Sequence, residues 1–157
     1  MNILRAQFED LPQILQLQYL AYQSEAKLCN NPNIPPLKQT LTEVEQEYEK
    51  GVFLKVVEVD GRIIGSVRAW TDGESVYVGK LMVHPDFQHR GIGTALLLAI
   101  EKEFTQTRFE LFTSTQSMRN IALYQRQGYI IFQEKQVMEN LRFVYLEKYL
   151  SSDVRHM

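Results

Sequence analysis

The chain has 157 residues and a mass of 18.4 kDa, enough for one domain to bury a core without disulfide or metal staples. Hydrophobic residues make up 45% and charged residues 23%, which argues against disorder, and 17 basic against 19 acidic residues give a net charge of −2, which offers little to a nucleic-acid backbone. Cys29 is the single cysteine, which excludes an intrachain disulfide and a cysteine-rich zinc site, and no apolar run approaches the roughly 18 residues of a membrane span.

Residues 2–7 suit a short opening strand. Asp10, Leu11 and Pro12 then have the form of a helix start, and Leu11, Ile14, Leu15, Leu17 and Leu20 lie mainly on one face, so the spacing predicts a helix over 10–27. Asn30, Asn31, Pro32, Asn33, Pro35 and Pro36 make 28–39 a long loop. Thr40 and Glu43 have capping-box spacing and open a second helix that ends near Gly51. Strands at 52–59, 62–71 and 75–84 follow, with turns at Asp60-Gly61 and Asp72-Gly73. Ile92, Leu96, Ile100 and Phe104 mark a helix over about 91–104. A strand at 108–114, a helix at 118–127 stopping at Gly128, and strands at 129–136 and 141–149 complete the chain. The order β-α-α-β-β-β-α-β-α-β-β predicts an α/β domain with a mixed (α+β) sheet, and the unit at 75–114 should be a right-handed parallel crossover. The start, Met1 to Ala6, lacks the basic head and apolar middle of a signal peptide, so a cytoplasmic setting is expected.

The informative stretch runs from Lys80 to Ala95. A strand ends at Pro85, a polar turn follows, and Gly91 and Gly93 precede an apolar helix. Main-chain N–H groups at a helix start have no intrahelical partners, and glycines keep side chains away from an approaching anion. The arrangement suits a pyrophosphate; a tight strand-to-helix turn with glycines for packing is the alternative. It lacks the Lys-Ser/Thr pair of a P-loop, and Leu96 stands where a dinucleotide fingerprint has its third glycine.

Gln88-x-x-Gly91-x-Gly93, preceded by Leu81-Met82-Val83-His84-Pro85, resembles the acyl-CoA signature of the GNAT superfamily of N-acetyltransferases. Ser117-x-x-Asn120-Ile121-x-Leu123-Tyr124-x-x-x-Gly128-Tyr129 resembles that superfamily's downstream motif, and Arg5-Ala6 with Asp10-Leu11-x-x-Ile14 is similar to a common start. The resemblance implies one acetyltransferase domain over 1–157, with its sheet splayed at the cofactor site. It implies acetyl-CoA as cosubstrate and no metal. The backbone near Leu81, Met82 and Val83 would pair with the pantetheine arm as an added strand does. Gln88, His89, Arg90, Gly91, Ile92, Gly93 and Thr94 would wrap the pyrophosphate, with Arg90 adding a charge-assisted bond or standing as a solvated side chain. Asn120 would hydrogen-bond the arm. Tyr124, i+4 from Asn120 and so on the same helix face, would protonate the departing thiolate; core packing is the plainer alternative.

The general base has no clear candidate. Relatives carry a glutamate where this sequence has Tyr77, and Glu74, Glu110 or a water chain are the alternatives. His84, His89 and His156 are too dispersed for a metal site, and Cys29 reads as a bystander. Glu43, Glu45, Glu47 and Glu49 read as a solvated helix face. Family analogy draws the acceptor pocket from the loop at 22–39, Trp70, Tyr77 and the segment after Phe112. The reaction implied is direct attack of a primary amine, small molecule or protein, on acetyl-CoA. A non-catalytic acyl-CoA-binding module and an interaction domain that keeps only the fold are the rivals. Relatives of this kind often form homodimers; neither nucleic acid nor membrane is an expected partner.

Overall fold

The computed structural model describes residues 2–151. Strand β1 (Asn2–Arg5) leads through a 3-10 turn into helix α1 (Leu11–Ala21), with Pro12 in its first turn. The helix predicted over 10–27 is two helices. At Tyr22 the backbone turns to φ −85° and ψ 0°, and α2 (Gln23–Leu28) starts afresh. The break lets the two helices bury different faces. Leu11, Ile14, Leu15 and Leu17 pack with Val44, Phe53 and Met82, whereas Ala26 packs with Cys29, Ile34 and Leu141. A periodicity argument cannot see this, because both halves are helical. Within the predicted loop, Pro35–Lys38 forms one helical turn, α3, started by its two prolines.

The capping box is present: the Glu43 N–H donates to the Thr40 hydroxyl and the Glu43 carboxylate accepts from the Thr40 N–H, opening α4 (Leu41–Lys50). Strands β2 (Val52–Val57), β3 (Ile63–Thr71) and β4 (Ser75–Val83) form an antiparallel meander. Then come α5 (Ile92–Glu101), β5 (Arg108–Ser114), α6 (Met118–Arg126), β6 (Ile130–Met138) and β7 (Leu141–Tyr149). The seven strands lie in the order β1-β2-β3-β4-β5-β7-β6. Only β4 and β5 run parallel, as the crossover through α5 requires.

The sheet departs from regularity in two places along β4. Ser66 faces Met82 while Arg68 faces Gly79, so β4 carries one more residue than β3 between these pairs. This is a β-bulge, and Lys80 within it has φ +51°. In addition, β4 and β5 pair only from Ser75–Tyr77 to Arg108–Glu110 and then part. The gap opens beside Val78 to Val83.

Helix α5 closes one face of the sheet with Ile92, Leu96, Leu97 and Ile100, and α1 and α4 close the other. Gly65 lets α5 lie close. A Cβ there would stand 3.1 Å from Leu96 Cδ1, 3.2 Å from Ile92 Cγ2 and 3.3 Å from the Met82 carbonyl oxygen. Gly65→Ala therefore overpacks the helix that follows the glycine turn. We expect a destabilisation of about 1–3 kcal/mol, read as a lower urea midpoint with an unchanged slope.

Candidate functional site

The gap between β4 and β5 is walled into a cavity of about 90 Å³. Tyr22 and Glu25 enter it from the break and start of α2, and Pro35 and Pro36 from α3. Val78 to Leu81 supply the β4 wall, Phe112 to Ser114 the β5 wall, Asn120 and Tyr124 come from α6, and Phe143 from β7. Asn120 and Tyr124, 98 residues or more from the break in the first helix, thus meet it across the sheet. Leu81, Asn120 and Tyr124 are the sequence-predicted site residues that line the cavity. Met82 turns its side chain into the core under α1, and Gly93 lies beside Val83 and Leu123. Past Tyr77 the side of β4 that faces β5 has no ladder partner from it.

The glycine loop lies further along β4. His84 Nδ1 accepts the Asp86 N–H at 3.1 Å, and the Phe87 N–H donates to the His84 carbonyl, forming a turn over Pro85–Phe87. His84 is therefore strand-end structure. His89 and Gly91 both have positive φ, +66° and +77°. Gly91 is the N-cap of α5 and supplies no side-chain acceptor, so the first-turn N–H groups of Ile92, Gly93 and Thr94 face outward from a helix start. A Cβ on Gly91 would meet nothing within 4 Å, so the space in front of this turn is open. Gln88, His89, Arg90 and Gly91 are exposed. Arg90 lies over the Phe87 ring at 4.9 Å, and His89 Nε2 is 3.2 Å from Arg119 Nη1. Arg119 is a cation at this loop that the sequence did not single out, because it is 30 residues away. It also links the two halves of the site. Arg119 opens α6 at the loop, and Tyr124 on the same helix, about 7.5 Å further along its axis, lines the cavity.

Four titratable side chains line the cavity: Tyr22, Glu25, Lys80 and Tyr124. Burial pushes the Tyr124 phenol well above its ordinary value, and the Glu25 charge adds to the effect. Tyr22 is raised for the same two reasons. Burial also raises the Glu25 carboxyl, against the Ser117 hydroxyl, Lys80 and the backbone of Ser114, which favour its charged form. The Ser117 Oγ–H donates to Glu25 Oε1 at 2.5 Å. Lys80 is lowered, first by burial and then by the charge of Arg68. Glu25 and Lys80 were both missed in the sequence. Glu25 sits among polar residues on a helix with no motif, and Lys80 faces the cavity only because the bulge turns it there.

A second polar group braces the wall. Arg68, 5% exposed, donates from Nη1 to Glu47 Oε1 and from Nη2 to Gln18 Oε1, both at 2.6 Å, and lies over the Phe53 ring. Gln18 donates to the Pro36 carbonyl at 2.8 Å and to Gln39, which in turn donates to Glu47. Tyr19 donates to the Gln39 carbonyl. Glu47, whose side chain is 42% exposed, reaches inward from the α4 face to pair with buried Arg68, so at that position the α4 glutamates are more than a solvated face. The network ties α1, α4 and β3 to the turn carrying Pro35 and Pro36.

Trp70 and Tyr77 stack at 4.7 Å outside the cavity lining, and Tyr77 donates to Asp72 at 2.9 Å. Glu74 is exposed at its turn, and Glu110 is ion-paired to Arg108 at 2.9 Å. Cys29 is buried with its Sγ 3.2 Å from Ser114 Oγ. His156 lies outside the described residues. Among the described residues no group of three or more His, Cys, Asp or Glu is arranged to hold a metal ion, and no helix is long and apolar enough to cross a membrane.

Residues 11–129 match the family model described as the acetyltransferase (GNAT) family. Among solved structures, the PaiA N-acetyltransferase of Thermoplasma acidophilum, in complex with coenzyme A, aligns over 96% of this chain and 100% of that one, with a TM-score of 0.78 at 17% identity. At that identity the likeness is one of fold. Among curated proteins, acetyltransferase ECA0875 of Pectobacterium atrosepticum is 45% identical over 56 residues, 36% of this chain and 39% of that protein. The UPF0157 protein YqkA of Bacillus subtilis is 25% identical over 118 residues, 74% of this chain and 34% of that protein. The chain thus spans little more than a third of the length of these curated relatives.

The burial of Glu25 has a consequence for stability that involves no ligand. Its carboxyl is raised above the ordinary 4.5, so between that value and the raised one the folded chain holds the extra proton, and stability falls as pH rises. The charged form carries the full penalty above that window. Glu25→Gln keeps an acceptor for Ser117 and removes the charge. We expect it to raise the melting temperature at pH 7–8 (about neutral to mildly alkaline) and the gain to vanish below the ordinary carboxylate range. A Gln variant less stable at neutral pH would show that the charge is not the destabilising element.

Proposed function

Since the chain belongs to the GNAT acetyltransferase family, we propose that it transfers an acetyl group from acetyl-CoA to a primary amine by direct attack in a ternary complex. We read it as one such domain, working in the cytoplasm. The observation that carries the reading is the path along α6 and β4: the open glycine turn at one end, and a cavity holding Tyr124 and Asn120 at the other.

The chain's groups fit the donor along that path. The main chain of Gln88, His89, Arg90, Gly91, Ile92, Gly93 and Thr94 offers the unpaired donors that a pyrophosphate takes, and Arg90 and Arg119 add positive charge beside it. The unladdered side of β4 near Leu81, Met82 and Val83 offers a strand edge to an amide-containing arm. Asn120, on the cavity wall, would hydrogen-bond that arm. A main-chain N–H near Val83 would stabilise the tetrahedral oxyanion.

The amine nitrogen bonds to the thioester carbonyl carbon and the C–S bond breaks. Tyr124 keeps its proton through the working pH range, because burial raises its phenol. It therefore meets the departing thiolate as a donor. A thiolate is a weaker base than this phenolate, so full transfer from Tyr124 runs together with return of a proton from the tetrahedral nitrogen. Much of the rate comes from holding amine and thioester together in one cavity. Tyr22, Phe112 and Phe143 give that cavity apolar walls, which suit the alkyl stem of an amine of either kind, small molecule or protein-borne.

Coenzyme A should raise the melting temperature of the chain, with a stabilisation of about 2.7 kcal/mol at a hundredfold excess over Kd. Tyr124→Phe should lower kcat by roughly 10²-fold or more and leave the Kd for coenzyme A unchanged. Wild-type turnover in the Phe variant, in a thiol-release assay where chemistry limits the rate, would remove Tyr124 from this role. Failure to bind coenzyme A would overturn the reading as a whole.

A further inference from the structure

Resting on that acetyl-transfer reading, we propose that Glu25 is the carboxylate that takes the proton from the incoming ammonium. An alkylamine arrives protonated near neutral pH and cannot attack until one proton leaves. Of the four titratable groups in the cavity, two are phenols that already carry their protons and one is a lysine. Glu25 is the only carboxylate among the lining residues. The carboxylates considered from the sequence are elsewhere: Glu74 is exposed at a turn and Glu110 is held by Arg108 outside the cavity.

The geometry also couples this group to the acid. Glu25 Oε1 accepts from Ser117 Oγ, and Ser117 is the N-cap of α6, the helix that carries Asn120 and Tyr124. One hydrogen bond therefore locks the carboxylate to the same rigid element as the phenol, and the Ser114 backbone on β5 steadies it from the other wall. The groups facing Glu25 set its charge. Lys80 from β4 favours the carboxylate, and Arg68 from β3 and Glu47 from α4 act on Lys80 in opposite directions. Tyr22 and Tyr124 stay neutral beside it. Burial raises the carboxyl above its ordinary value, which strengthens its carboxylate as a base.

The protons balance. Glu25 takes the first proton from R–NH3+. The nitrogen attacks, the C–S bond breaks, the thiolate receives the Tyr124 proton, and the second nitrogen proton returns to Tyr124. Glu25 then releases its proton to water, so the sum is ammonium plus thioester giving amide, thiol and one proton.

The test uses two probes of the same carbon skeleton, ethylamine and 2,2,2-trifluoroethylamine. At pH 8 the first is almost wholly protonated and the second almost wholly neutral. Wild type, Glu25→Gln and Lys80→Met are compared by thiol release from acetyl-CoA across pH, with Kd for coenzyme A measured in each. Glu25→Gln should lose about 10²–10⁴-fold in kcat/KM with ethylamine and lose the acidic limb of the pH profile. It should keep near wild-type turnover with trifluoroethylamine and an unchanged Kd. Equal loss on both amines would mean that Glu25 only orients the cavity, and loss of the acidic limb in Lys80→Met alone would hand the role to Lys80. Either result overturns this assignment and leaves the acetyl-transfer reading intact. A wild-type chain that binds coenzyme A but releases no thiol with either amine overturns both.

Discussion

One surplus residue in β4 is the constraint on which the rest of this structure depends. Between the pairs Ser66–Met82 and Arg68–Gly79 the strand carries a bulge, and Lys80 adopts a left-handed conformation that costs a non-glycine residue energy. Just ahead of the bulge β4 parts from β5, after three paired residues on each strand, Ser75–Tyr77 with Arg108–Glu110. A regular sheet would have closed that seam with ladder hydrogen bonds and buried apolar side chains. Here the seam becomes a cavity, one strand edge is left with main-chain groups to offer, and α6 is free to present Tyr124 to the opening.

The cavity gathers groups that a stable core avoids. Glu25, Lys80, Tyr22 and Tyr124 share one small space, and each is shifted toward its neutral form by the loss of water. Their mutual attraction offsets only part of that cost. Concentrating such groups at one cleft carries an electrostatic cost that a purely structural core would have removed. The charge network around Arg68 plays a different part. Its hydrogen bonds to Gln18 and Glu47, and theirs to Pro36 and Gln39, hold a wall in position, although Arg68 Nε is buried without a partner. Removing Glu47 would leave the buried Arg68 charge without its counter-ion.

The two ends of the site are built from different kinds of information. The glycine turn is local: a strand end, a proline, Gly91 at positive φ and a helix start are all consecutive in the chain. The cavity is assembled from six separate elements, and its carboxylate and its helix cap are 92 residues apart in sequence. Helix α6 joins the two, with Arg119 beside His89 and Tyr124 in the cavity.

Local chemistry in the chain determined the elements, the capping box at Thr40 and Glu43, the glycine turn and the family, and it singled out Tyr124 and Asn120, because each of these rests on residues within a few positions of one another. It did not reveal the break at Tyr22, since both helical halves keep a 3.6-residue rhythm and differ only in what they pack against. Nor did it reveal Glu25 and Lys80, whose neighbourhoods are ordinary along the chain. Glu47 read as solvent-facing for the same reason, although Arg68 reaches it from 21 residues away. These assignments depend on desolvation and on charges brought together across the sheet, and only the folded chain creates either.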